Sequence, residues 1–362
     1  MRKILLSAAL AAAACLSATA QRSLTDIARS ITPGGYIIGQ YTASDADDAA
    51  ATDKGFGIRL LRLYVNGSMF DDFKYRVQLE ASGTPGSAAS MRLLDAYGEW
   101  TKYKGFQIKA GQMKRCFSFE NPMNPWDVGF GSYSQAILKL TGFSDRVGEH
   151  SSNGRDAGLV IQGDLFPFKQ WRFLHYQVGV YNGQGTNQRD KNHRRDVMGG
   201  LWVNPIKGLS VGAFGWDGNY VNGTQTYSRT RLAYGFQYEG DLQFRGEYLS
   251  SVGGAPSKTY KDADGKDLTH FMSDKADGWY IMAGAPIVKG LRAQVKWDVY
   301  REEKSHATQS TKWSIGLDYW FAKNLKIQLT YDFNELEKDF AKFNSITDRH
   351  YNTADLQLYI RF

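Results

Sequence analysis

Ala354-Asp355-Leu356-Gln357-Leu358-Tyr359-Ile360-Arg361-Phe362, the last nine residues, decide the fold class. On an extended chain successive side chains point to opposite faces. Leu356, Leu358, Ile360 and Phe362 therefore share one face, and Asp355, Gln357, Tyr359 and Arg361 share the other. The same pattern recurs upstream. Leu325, Ile327, Leu329, Tyr331 and Phe333 alternate with Asn324, Lys326, Gln328, Thr330 and Asp332, and Trp313, Ile315, Leu317, Tyr319 and Phe321 with Lys312, Ser314, Gly316 and Asp318. Leu291, Ala293, Val295, Trp297 and Val299 alternate with Arg292, Gln294, Lys296 and Asp298, and Phe73, Tyr75, Val77 and Leu79 with Lys74, Arg76, Gln78 and Glu80.

A soluble sandwich also alternates, so the connections must separate the two cases. Strands are expected near 34–43, 56–70, 73–82, 91–102, 105–115, 155–165, 171–181, 194–204, 208–220, 226–239, 241–252, 276–287, 289–303, 311–322, 324–336 and 348–362, about 16 in all. Short links (Asp71-Asp72, Tyr103-Lys104, Phe166–Gln170, Pro205–Lys207, Gly240, Val288, Lys323) alternate with long ones at 44–55, 83–90, 116–154, 182–193, 253–275 and 337–347. An even strand number, with short turns at one end and long loops at the other, is the pattern of a transmembrane antiparallel β-barrel. Closure has a physical cause, since lipid cannot satisfy the backbone groups of an open sheet edge. Both termini then lie on the short-turn, periplasmic side. Aromatic residues near strand ends (Trp100, Tyr103, Phe166, Trp171, Tyr319, Phe321) suit an interfacial girdle.

The N-terminus fits export. Met1-Arg2-Lys3, an apolar run from Ile4 to Leu16 and Ala18-Thr19-Ala20 read as a signal peptide over residues 1–20, cleaved before Gln21, with the barrel over 21–362. A lipoprotein cleavage at Cys15 is the rival, weakened because no Leu stands three positions before it. After cleavage only Cys116 remains, so no intrachain disulfide forms. No later segment offers the run of about 18 apolar residues that a membrane helix needs. A short helical piece is expected around Ser23–Ser30. The net charge of +7 is dispersed, with no polybasic tail to suggest nucleic acid as a partner. The expected location is the outer membrane of a Gram-negative-type bacterium.

Catalytic and metal signatures fail in context. Gly208-Leu209-Ser210-Val211-Gly212 matches G-x-S-x-G, but that motif needs a sharp strand-to-helix turn, and Ala213-Phe214-Gly215-Trp216 continues as strand. The six His residues (150, 175, 193, 270, 306, 350) form no H-E-x-x-H or i, i+4 pair. Asp262-Ala263-Asp264-Gly265 is part of a calcium-loop pattern, but Tyr260 stands where the first ligand belongs. An exposed loop tip is the expected reading of Asp262 and Asp264. No catalysis and no cofactor are expected.

The link at 116–154 is unusual. Loops this long inside a compact unit are functional or disordered, and Phe117, Phe119, Trp126, Phe130, Tyr133, Ile137, Leu138, Leu140 and Phe143 are too many apolar groups for disorder. The expectation is a loop folded into the lumen, whose basic residues select for small anions. Lys114, Arg115, Lys139, Arg146 and Arg155 are its candidates. Lys74, Arg76, Arg229, Arg231, Arg245, Arg292 and Lys296 form an inward stripe read from the alternation.

Three stretches carry a family resemblance. Arg59-Leu60-Leu61-Arg62-Leu63-Tyr64-Val65-Asn66-Gly67, Asp95-Ala96-Tyr97-Gly98-Glu99-Trp100 and Ile108-Lys109-Ala110-Gly111-Gln112-Met113-Lys114 resemble the phosphate-selective porin O and P family. Phe117-Ser118-Phe119-Glu120, Asp145-Arg146-Val147-Gly148 and Gly154-Arg155-Asp156-Ala157-Gly158 extend the likeness. Leu60, Leu61 and Cys116 depart from it, standing where that family carries Arg, Ala and Pro, and the inward acids Glu80, Glu99, Glu247 and Asp298 dilute the basic lining. The resemblance implies a trimeric 16-stranded porin with a lumen ladder of arginines, to which Arg62 and Lys109 are added, and a lysine at the constriction. The expected activity is passive diffusion of small anions, phosphate or polyphosphate among them. A general or sugar porin without anion preference, or a β-barrel lipid hydrolase, is the alternative.

Overall fold

The computed structural model describes residues 28–46, 54–83, 90–168, 171–262 and 264–362. Sixteen antiparallel strands close into a barrel. The first half holds β1 (Ala28–Ser44), β2 (Gly55–Met69), β3 (Phe73–Gly83), β4 (Ser90–Tyr103), β5 (Phe106–Lys114), β6 (Arg155–Phe168), β7 (Trp171–Tyr181) and β8 (Asp196–Val203). β9 (Leu209–Asn222), β10 (Gln225–Glu239) and β11 (Gln243–Val252) follow. A separate hairpin, β12 (Lys258–Lys261) and β13 (Asp267–His270), stands in the next long loop. β14 (Lys275–Val288), β15 (Leu291–Arg301), β16 (Gln309–Ala322), β17 (Leu325–Leu336) and β18 (His350–Arg361) complete the wall. Each barrel strand pairs with its neighbours in sequence, β11 meets β14, and β18 returns to β1. The seam runs from Tyr36 opposite Arg361 to Ser44 opposite Thr353. Gly35 and Phe362 finish it with reciprocal N–H···O bonds of 2.9 and 3.0 Å.

Each of the sixteen expected segments is a strand, within a few residues at its ends. The N-terminal piece differs. Ala28–Ser30 belong to β1 rather than to a helix, because β2 offers its edge there, with Ser30 opposite Ser68 and Ile31 opposite Gly67. The rest of that piece and the leader lie outside the described residues. The β12–β13 hairpin falls within the long link expected at 253–275.

Which face is buried shows that the wall is built for lipid. On β18, Leu356, Leu358 and Ile360 are 41, 42 and 39% exposed while Gln357 and Tyr359 are fully buried. A soluble sandwich would bury the opposite set. The core sits inside the barrel, where residues of the loop between β5 and β6 (Phe117, Phe130, Ile137, Leu140) pack against wall residues such as Phe214, Trp216, Tyr280 and Met282. Tyr103, Phe166, Tyr319 and Phe321 are exposed beside the short turns, at the level of a headgroup girdle.

Candidate pore constriction

The loop of residues 115–154 enters the barrel and crosses it, carrying the short helix α1 (Gln135–Leu140). Its path is set by contacts on opposite walls. The Glu247 carboxylate on β11 accepts the backbone N–H groups of Phe119 and Glu120 at 2.8 and 2.9 Å. Asp298 on β15 accepts that of Gln135 at 2.9 Å. Across the lumen Lys326 donates to the Trp126 carbonyl at 2.9 Å, and Thr330 accepts from the Gly131 N–H at 3.1 Å. Within the loop, Glu120 accepts from the Ser134 N–H and hydroxyl at 2.6 and 2.9 Å. Two acids that the sequence shows only as dilution of a basic lining, Glu247 and Asp298, are thus loop anchors.

A buried charge cluster clamps the returning half. Arg115 binds Glu149 at 2.8 Å and Asp156 at 3.0 Å. Arg229 binds the same Glu149 and reaches Asp196 at 2.8 Å. Arg231 takes both oxygens of Asp145 at 2.6 Å and the Leu140 carbonyl at 2.8 Å. All three guanidinium groups lie 4.7–4.9 Å from the Trp216 ring centre, within cation–π range. Burial pushes the loop carboxyls Asp145 and Glu149 up, but the facing arginines outweigh it and hold both below their ordinary values. Gly142 and Gly154 permit the close approach. Both have positive φ, and a Cβ would stand 2.2 Å from the Arg115 guanidinium or 1.8 Å from the Asn121 amide oxygen.

The fourteen expected pore residues therefore fall into distinct settings. Arg115, Arg229 and Arg231 are held in the clamp. Arg245 donates to the Val128 carbonyl at 2.8 Å, and Arg146 to the carbonyls of Gly253 and Ser273 at 2.8 and 2.9 Å. Lys296 is buried, its ammonium 4.7 Å from the Phe130 ring centre. Lys139 ends α1 among Glu302, Lys258 and Asp145, where burial lowers its amine. Lys74 is exposed, opposite Ser68 on β2 and two residues from Arg76.

Five others gather at one wall. Arg62, Arg76, Lys109, Lys114 and Arg155 line a cavity of about 260 Å³ that faces Pro122, Met123 and Asn124 of the loop. Arg62 pairs with Glu80 at 2.6 Å, Arg155 with Asp95 at 2.7 Å, and Lys109 with Glu99 at 3.7 Å. Lys114 meets aromatic faces instead, 4.7 Å from the Phe143 ring centre. Positive charge exceeds negative here. An adjoining cavity of about 300 Å³ shares Lys109 and Lys114. Beyond Pro122–Asn124 a third, of about 620 Å³, is lined by two cations, Arg292 and Lys326, and three carboxylates, Asp127, Asp318 and Glu239.

Three cations in the lumen escaped the sequence reading. Arg59 donates to Gln357 at 2.8 Å, Arg92 pairs with Glu80 at 2.6 Å, and Lys326 binds the loop carbonyl described above. Arg59 and Arg62 are three apart, so simple alternation sends them to opposite faces. The β2–β3 register shifts between Ile58 and Leu61, and the inserted residue turns both inward. Lys326 stands between Leu325 and Ile327 on β17, so the alternation itself turns it inward.

The other chemistry tested above does not assemble. Ser210 sits in the regular strand β9 and donates to the Asn204 side chain at 2.7 Å, with no strand-to-helix turn. Asp262 accepts the N–H groups of Asp264 and Lys266 in its own turn, at 3.0 and 2.9 Å. No group of three His, Cys, Asp or Glu able to hold a metal is found among the described residues.

The wall is closed, its outer face is apolar, and a loop folds across the lumen. Residues 7–339 match the family model described as Gram-negative porin. The chain belongs to the Gram-negative porin family. No curated protein matches it in sequence. Among solved structures the porin resembles the anion-selective porin from Comamonas acidovorans, at 14% identity and TM-score 0.65 over 92% of this chain and 99% of that one. It also resembles OmpF of Salmonella typhi in complex with daunomycin, at 14% and 0.66 over 94% and 99%. The outer membrane channel DcaP of Acinetobacter baumannii follows, at 14% and 0.62 over 92% and 97%. At such identities the likeness carries the fold. Family and fold place the porin in the outer membrane, and the family match does not single out the phosphate-selective subgroup.

Proposed function

We propose that this porin passes small anions by diffusion, phosphate or polyphosphate among them, and that its selectivity is set where the loop at Pro122–Asn124 faces Arg62, Arg76, Lys109, Lys114 and Arg155. The excess of cations at that cavity carries the reading. Charges confined in a lumen are screened less than surface charges, so several together lower the barrier for an anion without holding it. The motif likeness around Lys109–Lys114 favours phosphate. Residues 1–20 act as a cleaved export signal in this reading, and the working unit is a homotrimer; one of the solved likenesses, OmpT of Vibrio cholerae, is described in a trimer form. The mixed lining of two cations and three carboxylates, Arg292, Lys326, Asp127, Asp318 and Glu239, favours, as a second reading, a general porin without anion preference, open to neutral sugars.

Planar-bilayer reversal potentials in chloride and phosphate gradients test this. Two unit charges about 8 Å apart at an effective dielectric near 20 interact by about 2 kcal/mol, roughly thirtyfold in ion preference. The double variant Lys109→Glu, Lys114→Glu is expected to turn anion preference into cation preference. Lys261→Glu, on an exposed hairpin where Lys261 pairs with Asp267, should leave the reversal potential at the parent value. A parent channel with no anion preference, or a double variant that keeps it, removes the anion reading and leaves the general porin.

A further inference from the structure

The cavity of about 620 Å³ beyond Pro122–Asn124 holds an arginine in an unusual setting. Arg292, the second residue of β15, stands opposite Asp318 on β16. Its guanidinium lies 5.4 Å from the ring centre of Trp320, within cation–π range. It makes no hydrogen bond or ion pair among the described residues, and its buried Nε is without a partner. Asp318 is the acid placed to take it, but Lys326 at 3.7 Å and the Gln328 amide at 2.6 Å already occupy that carboxylate. Glu239 of the same lining is engaged by Gln243 at 2.8 Å and by Arg245 at 3.5 Å. Arg62 and Arg155, in the smaller cavity at the loop, each hold a carboxylate; Arg292 holds none.

Two further polar groups line this space with no hydrogen bond or ion pair among the described residues, the Gln237 amide on β10 and the Asp127 carboxylate on the loop. The chemistry of the three free groups differs. A guanidinium resting on an indole keeps its N–H edge in one plane, which matches the two oxygens of a carboxylate. An ionised carboxylate such as Asp127 accepts hydrogen bonds and cannot donate, so it repels a bare anion and takes a hydroxyl. An amide donates and accepts. The cavity has the size of a small-molecule pocket. Glu239 and Arg292 lie beside the short turns that follow β10 and β14, so the cavity is on the periplasmic side of the loop.

We propose that this cavity is a binding subsite for sugar acids, the solute's carboxylate lying on Arg292 and its hydroxyls on Gln237 and Asp127. An inorganic anion would meet only Arg292 and be opposed by Asp127, and a neutral sugar would leave the guanidinium unpaired. A hydroxylated carboxylate satisfies all three groups at once. The subsite rests on the anion reading, because such a solute first passes the cations at Lys109 and Lys114.

Three solutes of equal carbon number separate the parts of the site. D-Gluconate carries carboxylate and hydroxyls, D-glucose hydroxyls alone, and hexanoate a carboxylate alone. Each is titrated against the potassium chloride current of the full-length porin in planar bilayers, and the concentration that halves the current is read. In the parent, gluconate should act at a concentration about tenfold or more below that of either other solute, the effect of one hydrogen-bonded charge. Arg292→Gln should raise the gluconate value to that of glucose. Arg292→Lys keeps the charge and loses the planar fork, so it should recover only part of the difference. Gln237→Leu should raise the gluconate and glucose values severalfold and leave hexanoate unchanged. A heat-modifiable band confirms that each variant is folded. Equal action of the three solutes on the parent overturns the subsite, as does gluconate block that is unchanged in Arg292→Gln or fully restored in Arg292→Lys. The chloride reversal potential of the parent keeps the two readings apart. Anion preference together with any of those results removes the subsite alone, whereas a parent without anion preference removes the anion reading and the subsite with it.

Discussion

Replacing Arg229 by Met is expected to raise single-channel conductance and to open the third loop to trypsin at Lys139. In the parent, Arg229 joins the loop residue Glu149 to the wall residue Asp196 with all three side chains buried. Without it, Glu149 and Asp156 share the guanidinium of Arg115, and Asp196 keeps only the N–H groups of Trp216 and Asn219. Removing one partner of a buried ion pair costs about 3–5 kcal/mol, and here the loss falls on the loop, since the β8–β9–β10 ladders do not depend on it. Arg229→Lys should restore only part of the closure, because an ammonium cannot span two carboxylates as a guanidinium does. The two possible roles of Arg229 give different results. A charge that lines the open pore, once removed, would lower anion preference at unchanged conductance; a clamp, once removed, raises conductance. A variant with parental conductance and parental resistance to trypsin would show that the cluster does not hold the loop.

Acid should act on the parent and the variant with opposite signs. In the parent, Asp145 and Glu149 are held below their ordinary values, so their contribution is complete above roughly pH 5 and is lost as pH falls through the depressed values. In Arg229→Met the surplus carboxylates repel one another, and protonation relieves them. Conductance should therefore rise on acidification below about pH 4 in the parent and fall in the variant.

Deleting residues 353–362 is expected to abolish assembly. The segment holds the seam with β1 from Tyr36–Arg361 to Ser44–Thr353 and most of the β17–β18 ladder. Its loss leaves β1 and β17 with unpaired N–H and C=O groups facing hydrocarbon, at several kcal/mol each, with no neighbouring strand positioned to pair them. Outer-membrane fractions should contain no heat-modifiable barrel, and any residual chain should be degraded. Phe362→Ala, which keeps the ladder, should retain a reduced amount of folded barrel. A truncated chain that assembles like the parent would contradict the closed seam.

Alternation in nine residues such as Ala354–Phe362, together with short links at one end and mostly longer ones at the other, determined the barrel, its strand number and the side on which each end lies; the two-residue turn between β9 and β10 is the exception. Those signals are local. A period of two needs only neighbouring residues, and link length is counted along the chain. The inward third loop was legible for a related reason, since its aromatic residues required something to pack against.

What each basic side chain does was decided only by the tertiary structure. Arg229, between Ser228 and Thr230, and Lys109, between Ile108 and Ala110, both read in sequence only as inward-facing cations of a strand. One is taken up by Glu149, 80 residues away, and the other faces an open cavity. The β2 bulge that turns both Arg59 and Arg62 inward leaves no trace in composition, because it is a property of the pairing with β1 and β3. Glu247 and Asp298 reversed their apparent meaning for the same reason, since their partners are backbone N–H groups, which every non-proline residue carries and no sequence pattern marks.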